Sequence, residues 1–142
     1  MARTVLIDRP RHEVYEYVAN LDSLAEYIGP VERIHRVSTP RIEKGTRLTV
    51  DAHFIGIKFS QRAECVENTH PSRFEARSVG GRFYFEAGFE LRDRAGGTIL
   101  EGWGNAEAPR LFPLAERILG FLIERQIDGD LRRLKRILEA GT

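Results

Sequence analysis

The feature that most constrains the fold is a two-residue hydrophobic period from Val31 to Glu107, which gives way to a helical period that continues to about Glu139. Successive side chains of a strand point to opposite faces, so the alternation predicts strands that are buried on one side. Turn residues interrupt the alternating region at short intervals, and connections this short imply antiparallel pairing. The chain is therefore expected to form an antiparallel sheet followed by one long helix.

The turn residues divide the alternating region into six strands. Their predicted ranges are 32–37, 46–54, 57–67, 74–78, the segment 80–97 and 98–106. Residues 2–8 predict a further strand at the start of the chain, and Pro10 suits the first turn of a short helix that follows it. A second short helix, with Asp22 as its N-cap, ends at Gly29. The long helix is expected to begin after Pro109.

The segment GGRFYFEAGFELRDRAGG, residues 80–97, carries an unusual number of rings on one face. Its alternate positions are Phe83, Phe85, Ala87, Phe89 and Leu91. The pattern predicts a half-buried strand. Two interpretations remain open, since the rings can belong to an ordinary core or can line a compartment that holds an apolar molecule.

The last strand of the region, 98–106, can face inward in two ways. One face carries Leu100, Gly102, Gly104 and Ala106. The other face carries Ile99, Glu101, Trp103 and Asn105. Trp103 is the more costly residue to leave in water, so the second orientation is favoured.

Composition limits the class of protein. The 142 residues, 42% of them hydrophobic, suffice for one domain with a core, expected over 1–142. Twenty-two basic and 21 acidic residues leave a net charge of +1, so nucleic acid is not expected as a partner. One cysteine, Cys65, fits a reducing compartment, and the short apolar run near the N-terminus fits neither a signal peptide nor a membrane span. We expect a cytoplasmic protein without a transmembrane segment.

Motifs for catalysis or cofactor binding are few. The four histidines are scattered, and His12-Glu13 lacks the second histidine of a zinc-binding helix, so no metal is expected. The glycines around Trp103 lack the remainder of a phosphate-binding loop, and no cofactor is expected. Cys65 has no histidine near it in sequence and is interpreted as a buried thiol.

The chain resembles the START-like, or Bet v 1-like, helix-grip superfamily, in particular its bacterial polyketide cyclase/dehydrase and lipid-transport branch. The resemblance rests on VLIDRPRHEVYEYVANLDSLAEYI at the start and on DLRRLKRILE in the tail, and it covers nearly the whole chain. Tyr27 departs from the pattern, because many members carry tryptophan there. The resemblance implies an α+β helix-grip fold, in which a seven-stranded antiparallel sheet with two short helices after strand 1 curves around a long C-terminal helix.

The resemblance also implies an apolar cavity between the sheet and the long helix. The expected lining residues are Phe54, Phe59, Gln61, Phe74, Phe83, Phe85, Glu101, Trp103, Ile118 and Leu122. Gln61 can serve a ligand or can bond to neighbouring protein groups instead. The first half of the long helix is apolar nearly all round, and two explanations stay open: the short helices cover it, or it also closes the cavity.

Three functions are compatible with the resemblance and the predicted cavity. The chain can bind or transport a small hydrophobic molecule such as a lipid, an isoprenoid or an aromatic compound. It can instead be a polyketide cyclase, aromatase or dehydratase, which needs a titratable group in the cavity, and the direction of Glu101 distinguishes these two. The third function is a protein-interaction module of the cochaperone or ribosome-associated type, which works through its outer surface. A homodimer is compatible with each of them.

Overall fold

A computed structural model describes residues 2–35, 42–54, 56–80, 84–107 and 116–141. The elements follow in the order β1 (Ala2–Ile7), α1 (Arg11–Val18), α2 (Leu21–Tyr27), β2 (Val31–His35), β3 (Arg47–Phe54), β4 (Ile57–Thr69), β5 (Arg73–Ser78), β6 (Tyr84–Arg94), β7 (Gly97–Glu107) and α3 (Glu116–Ala140). Val37, Phe83 and the predicted helix start after Pro109 lie outside the described residues.

The strands form one antiparallel sheet in the order β1-β7-β6-β5-β4-β3-β2. Sequential neighbours pair from β2 to β7, and β1 closes the sheet by pairing with β7. The sheet curves around α3, so the predicted helix-grip fold is confirmed. Register shifts between Val31 and Arg33 and between Cys65 and Glu67 mark β-bulges, which bend and twist strands.

The structure tests the local signals for turns and caps in two places, a hairpin and a helix start. Arg94 pairs with Gly97, so Ala95 and Gly96 form a two-residue hairpin loop with φ of 46° and 86°. Positive φ at both central residues is the type I′ geometry that matches strand twist. The predicted N-cap of α2, Asp22, is wrong. Asn20 caps the helix, because its side chain accepts a hydrogen bond from the Asp22 backbone N–H at 2.8 Å.

The inner face of the sheet, defined here as the face that α3 covers, is covered unevenly. α3 packs mainly on β1 and β7, while α1 and α2 lie over β6, β7 and β2. The end of α3 is fixed to β1 and to the residue that follows it. Lys135 donates to the Leu6 carbonyl at 2.5 Å, and Glu139 accepts the Asp8 N–H at 2.8 Å. The middle of the inner face is therefore left partly open.

Candidate ligand-binding cavity

A cavity of about 360 Å³ lies between the inner face and α3. Its sheet wall carries the inner-face side chains Leu48, Val50, Ala52, Phe54, Phe59, Gln61, Phe74, Ala76, Phe85, Ala87 and Phe89. Its helix wall carries Leu119, Ile123, Gln126, Ile127, Asp130 and Leu131. α2 and the segment after it close one end through Leu24, Tyr27, Ile28 and Pro30.

Two glycines of β7 allow α3 to lie directly on the sheet. A Cβ placed on Gly102 would lie 3.1 Å from Leu131 Cδ2, and one on Gly104 would lie 3.5 Å from Ile127 Cδ1. Without side chains at these positions, the helix can lie close to β7. β3 to β6 carry larger side chains on the inner face, and the cavity lies between these side chains and α3.

The aromatic stripe of β6 serves both core and cavity. Leu91 is 1% exposed and belongs to the core cluster, whereas Phe85 and Phe89 are partly buried and line the cavity while packing against that cluster. Phe89 also lies 6.0 Å from the Tyr27 ring, centroid to centroid. The stripe thus changes from core to cavity wall along one strand.

The predicted orientation of β7 is wrong. Leu100 is fully buried on the inner face, and Gly102 and Gly104 face α3. The Trp103 indole lies on the outer face, over its cross-strand partner Gly88, with the Arg73 guanidinium 5.8 Å from the ring centroid. The missing side chain of Gly88 makes room for the ring, so the indole is covered without entering the core.

This orientation removes one predicted lining residue, Glu101, and changes how a second, Trp103, meets the cavity. Glu101 pairs with Glu90 on the outer face and is not part of the cavity wall. Trp103 borders the cavity, but with its ring on the other face the contact is made by the strand backbone. Glu101 therefore cannot supply the titratable group that an enzyme would need inside.

The predicted helix positions also need correction. Ile118 is 49% exposed, and neither it nor Leu122 lines the cavity. The lining positions Leu119 and Ile123 lie one residue later. One residue turns an α-helix by about 100°, which is enough to move a side chain off the inner face. Where a helix is apolar all round, the sequence does not determine this rotation.

The remaining predicted lining residues lie at the cavity wall. They are Phe54, Phe59, Gln61, Phe74 and Phe85. Gln61 is 2% exposed, and its amide donates to the carbonyls of Arg62 at 3.1 Å and Gly80 at 2.5 Å. These bonds favour the structural interpretation of its amide, and contact of these residues with a ligand stays a prediction.

The sequence model of the family described as polyketide cyclase/dehydrase and lipid transport matches residues 1–139. The chain belongs to this family. A START superfamily protein from Mycobacterium smegmatis superposes with a TM-score of 0.82 at 13% identity, covering 100% of this chain and 98% of that one. A protein from Thermus thermophilus gives 0.77 at 22% identity, with 100% and 99% covered.

The third structure, the di-domain ARO/CYC StfQ from the steffimycin biosynthetic pathway, gives a TM-score of 0.75 at 15% identity. This chain is covered completely and spans 52% of that chain. At these identities the likeness shows the fold alone. No functionally curated protein matches the chain.

Sequence reasoning missed two polar side chains of α3 at the cavity, Gln126 and Asp130. Asp130 Oδ1 accepts hydrogen bonds from the Gly29 backbone N–H at 3.0 Å and from Gln126 Nε2 at 2.8 Å. Burial raises the pKa of the Asp130 carboxyl, while these donors and Arg133 act in the opposite direction. The available signal was the position of Asp130 between Ile127 and Leu131 on the apolar side of the helix.

Two other polar side chains at the cavity are inert. The Tyr27 hydroxyl is fully buried and donates to the Val18 carbonyl at 2.9 Å, and desolvation raises its pKa well above the usual value. Burial likewise raises the pKa of Cys65 to about 11, and its thiol donates to the Glu67 carbonyl. Neither group forms an anion near neutral pH.

A Ser–Asp–His cluster on the outer face of β2, β3 and β4 is not a nucleophilic triad. Ser60 donates to Asp51 Oδ1 at 2.6 Å, and His35 lies 2.8 Å from Asp51 Oδ2. The carboxylate stands between the other two, so histidine does not contact the serine hydroxyl as a general base must. Across the described ranges no three metal-ligating side chains cluster, and no helix there is long and apolar enough to cross a membrane.

Proposed function

We propose that this protein binds a small hydrophobic molecule in the cavity between its sheet and α3. The observation that carries the proposal is the cavity itself, a space of about 360 Å³ walled by aliphatic and aromatic side chains. Small-molecule sites have this character, with volumes of about 300 to 1,000 Å³ and few polar groups. The volume lies at the small end of that range, which favours a ring system or a single chain over a lipid with two long chains.

A ligand should raise the melting temperature in a concentration-dependent way, because binding to the folded state alone stabilises it by mass action. The measurement is a thermal melt against a panel of isoprenoids, single-chain lipids and polycyclic aromatics, paired with displacement of the neutral probe Nile red. Native mass spectrometry of protein isolated from its own host would identify a retained ligand.

A matched pair of variants locates the binding. Ala76 lies on the cavity wall and Arg77 is exposed on the other face of the same strand. Ala76→Leu should fill part of the cavity and weaken ligand binding, and Arg77→Leu should leave it unchanged. No stabilisation by any panel member, or equal effects of the two variants, would contradict the proposal and favour the interaction module.

A second candidate function is catalysis of polyketide cyclisation or dehydration, and one observation favours it. Asp130 places a titratable carboxyl in the cavity wall beside Gln126, as proton transfer to or from a bound carbonyl chain would require. The fold of the StfQ structure is consistent with such a role.

The cyclase hypothesis predicts that Asp130→Asn abolishes turnover and leaves substrate binding intact. The measurement is product formation from an aromatic-forming polyketide chain, followed by mass spectrometry, with binding measured separately. Asp128→Asn, on the exposed side of the same helix, is the control. Binding without any turnover by the unmodified protein would reject catalysis and leave the binding function in place.

A further inference from the structure

Asp130 and Gln126 form a polar pair where α3 passes the segment after α2. Three groups face one oxygen of the carboxyl, Oδ1: the Gly29 N–H at 3.0 Å, Gln126 Nε2 at 2.8 Å and the Arg133 guanidinium at 3.8 Å. Two N–H donors and a cation on one oxygen favour the ionised carboxyl. The pair therefore joins α3 to Gly29 and places a negative charge at the cavity wall.

The orientation of the Gln126 amide follows from this contact. Its nitrogen must face Asp130, because an amide oxygen in that place would be repelled by the carboxylate. The same nitrogen packs against Gly29, where an added Cβ would lie only 2.7 Å away. Gln126 Oε1 and Asp130 Oδ2 are therefore the atoms left to interact with other groups.

Both oxygens are hydrogen-bond acceptors that reach open space. Neither has a hydrogen-bond partner within the described ranges, where every fully buried side-chain nitrogen or oxygen does have one. They are thus accessible, and both residues line the cavity. The pair offers a ligand two acceptors, while Gln126 Nε2 directs one of its two N–H donors to Asp130 Oδ1.

We propose that this pair selects the polar end of the ligand: the cavity takes a neutral hydrophobic molecule that carries a hydroxyl group, and rejects the corresponding carboxylate. The inference rests on the proposed function. A hydroxyl donates to Gln126 Oε1 or Asp130 Oδ2 and satisfies an acceptor that ligand binding would otherwise bury unpaired. A carboxylate brings only acceptors and a second negative charge beside Asp130.

Like charges interact more strongly at such a site than in water, because apolar walls lower the effective dielectric constant. Burial raises the pKa of the Asp130 carboxyl, because an apolar environment disfavours its charge. Arg133 compensates the charge of Asp130 only in part, since the guanidinium lies 3.8 Å from Asp130 Oδ1 and the Arg133 side chain is 43% exposed. Among the described residues that line the cavity, none is a lysine or an arginine that could pair with a second carboxylate.

The test compares dodecanol with dodecanoate, and naphthol with naphthoate, by Nile red displacement at neutral pH. We expect each hydroxyl compound to bind at least about tenfold more tightly than its carboxylate, the ratio that a difference of about 1.4 kcal/mol produces. Asp130→Asn should reduce this ratio, because it removes the charge and keeps an acceptor oxygen for Gly29. Gln126→Met should weaken the hydroxyl compounds and spare the parent hydrocarbons.

Asp128→Asn is the matched control, since it removes the same charge from an exposed position of α3 that pairs with Arg132. It should leave the ratio unchanged, and thermal melts check that every variant folds. Tighter binding of the carboxylates, or a ratio that Asp130→Asn and Asp128→Asn alter equally, overturns the inference while the binding function stands. If no compound displaces the probe or shifts the melt, both this inference and the proposed function fail.

Discussion

A chain that ends after Glu107, and so lacks α3, is expected to lose cooperative unfolding altogether. The deletion removes the buried Leu119, Leu131 and Leu134 and exposes their partners on β1 and β7, including Leu100. Each large apolar side chain returned to water costs about 1.5 to 3 kcal/mol. Loss of burial at these four groups therefore amounts to about 6 to 12 kcal/mol, which is comparable to the whole net stability of a domain, about 5 to 15 kcal/mol.

The measurement is thermal and denaturant unfolding followed by circular dichroism, with the near-ultraviolet signal reporting fixed packing around Trp103. The control ends at Ala140 and retains Glu139 with its bond to Asp8, and it should melt as the full chain does. A soluble deletion with a sharp melting transition would show that the sheet closes its own core without α3.

The order of elements could be predicted because each depends on local signals. Alternation and turn residues gave the strands, and short hairpins required antiparallel neighbours. The hairpin at Ala95 and Gly96 illustrates the reason, since its loop length and glycine already determine strand pairing. Such signals act within a few residues and do not depend on what the other elements do.

The errors in the predicted lining residues, at Glu101, Ile118 and Leu122, arose where a contact with a distant element decides. The burial cost of Trp103 was judged alone, but Gly88 on the neighbouring strand provides space for its ring outside the core. In the sequence, Gly102 and Gly104 only indicate strand positions without side chains. In the fold, they are the positions at which α3 lies closest to β7. The role of a glycine in a strand therefore depends on which side chain of another element occupies the space beside it.

Asp130 was missed for a related reason. In the sequence it stands beside the basic run of the tail, where it fits an exposed helix face with local ion pairs. Its burial depends on Gly29, 101 residues away in the chain, whose backbone N–H the carboxylate accepts. Local charge patterning does not carry this information.

Two residues of the aromatic stripe of β6 allow a direct comparison of core and cavity wall. Leu91→Ala removes a fully packed side chain, so it should lower the free energy of unfolding by about 3 kcal/mol or more, through lost burial and a new void. Phe85→Ala enlarges a space that already exists. In the ligand-free protein its cost should be only about 1 to 2 kcal/mol, in line with partial burial.

Ligand affinity should respond in the opposite way, with the larger change in the variant that loses less stability. Phe85 borders the cavity, so Phe85→Ala should change the affinity for a bound aromatic compound, whereas Leu91→Ala should retain it as long as the protein is folded. Denaturant unfolding with and without the best ligand of the panel measures both quantities on each variant. A cost for Phe85→Ala above about 3 kcal/mol, together with unchanged affinity, would place this ring in the core and remove it from the binding site.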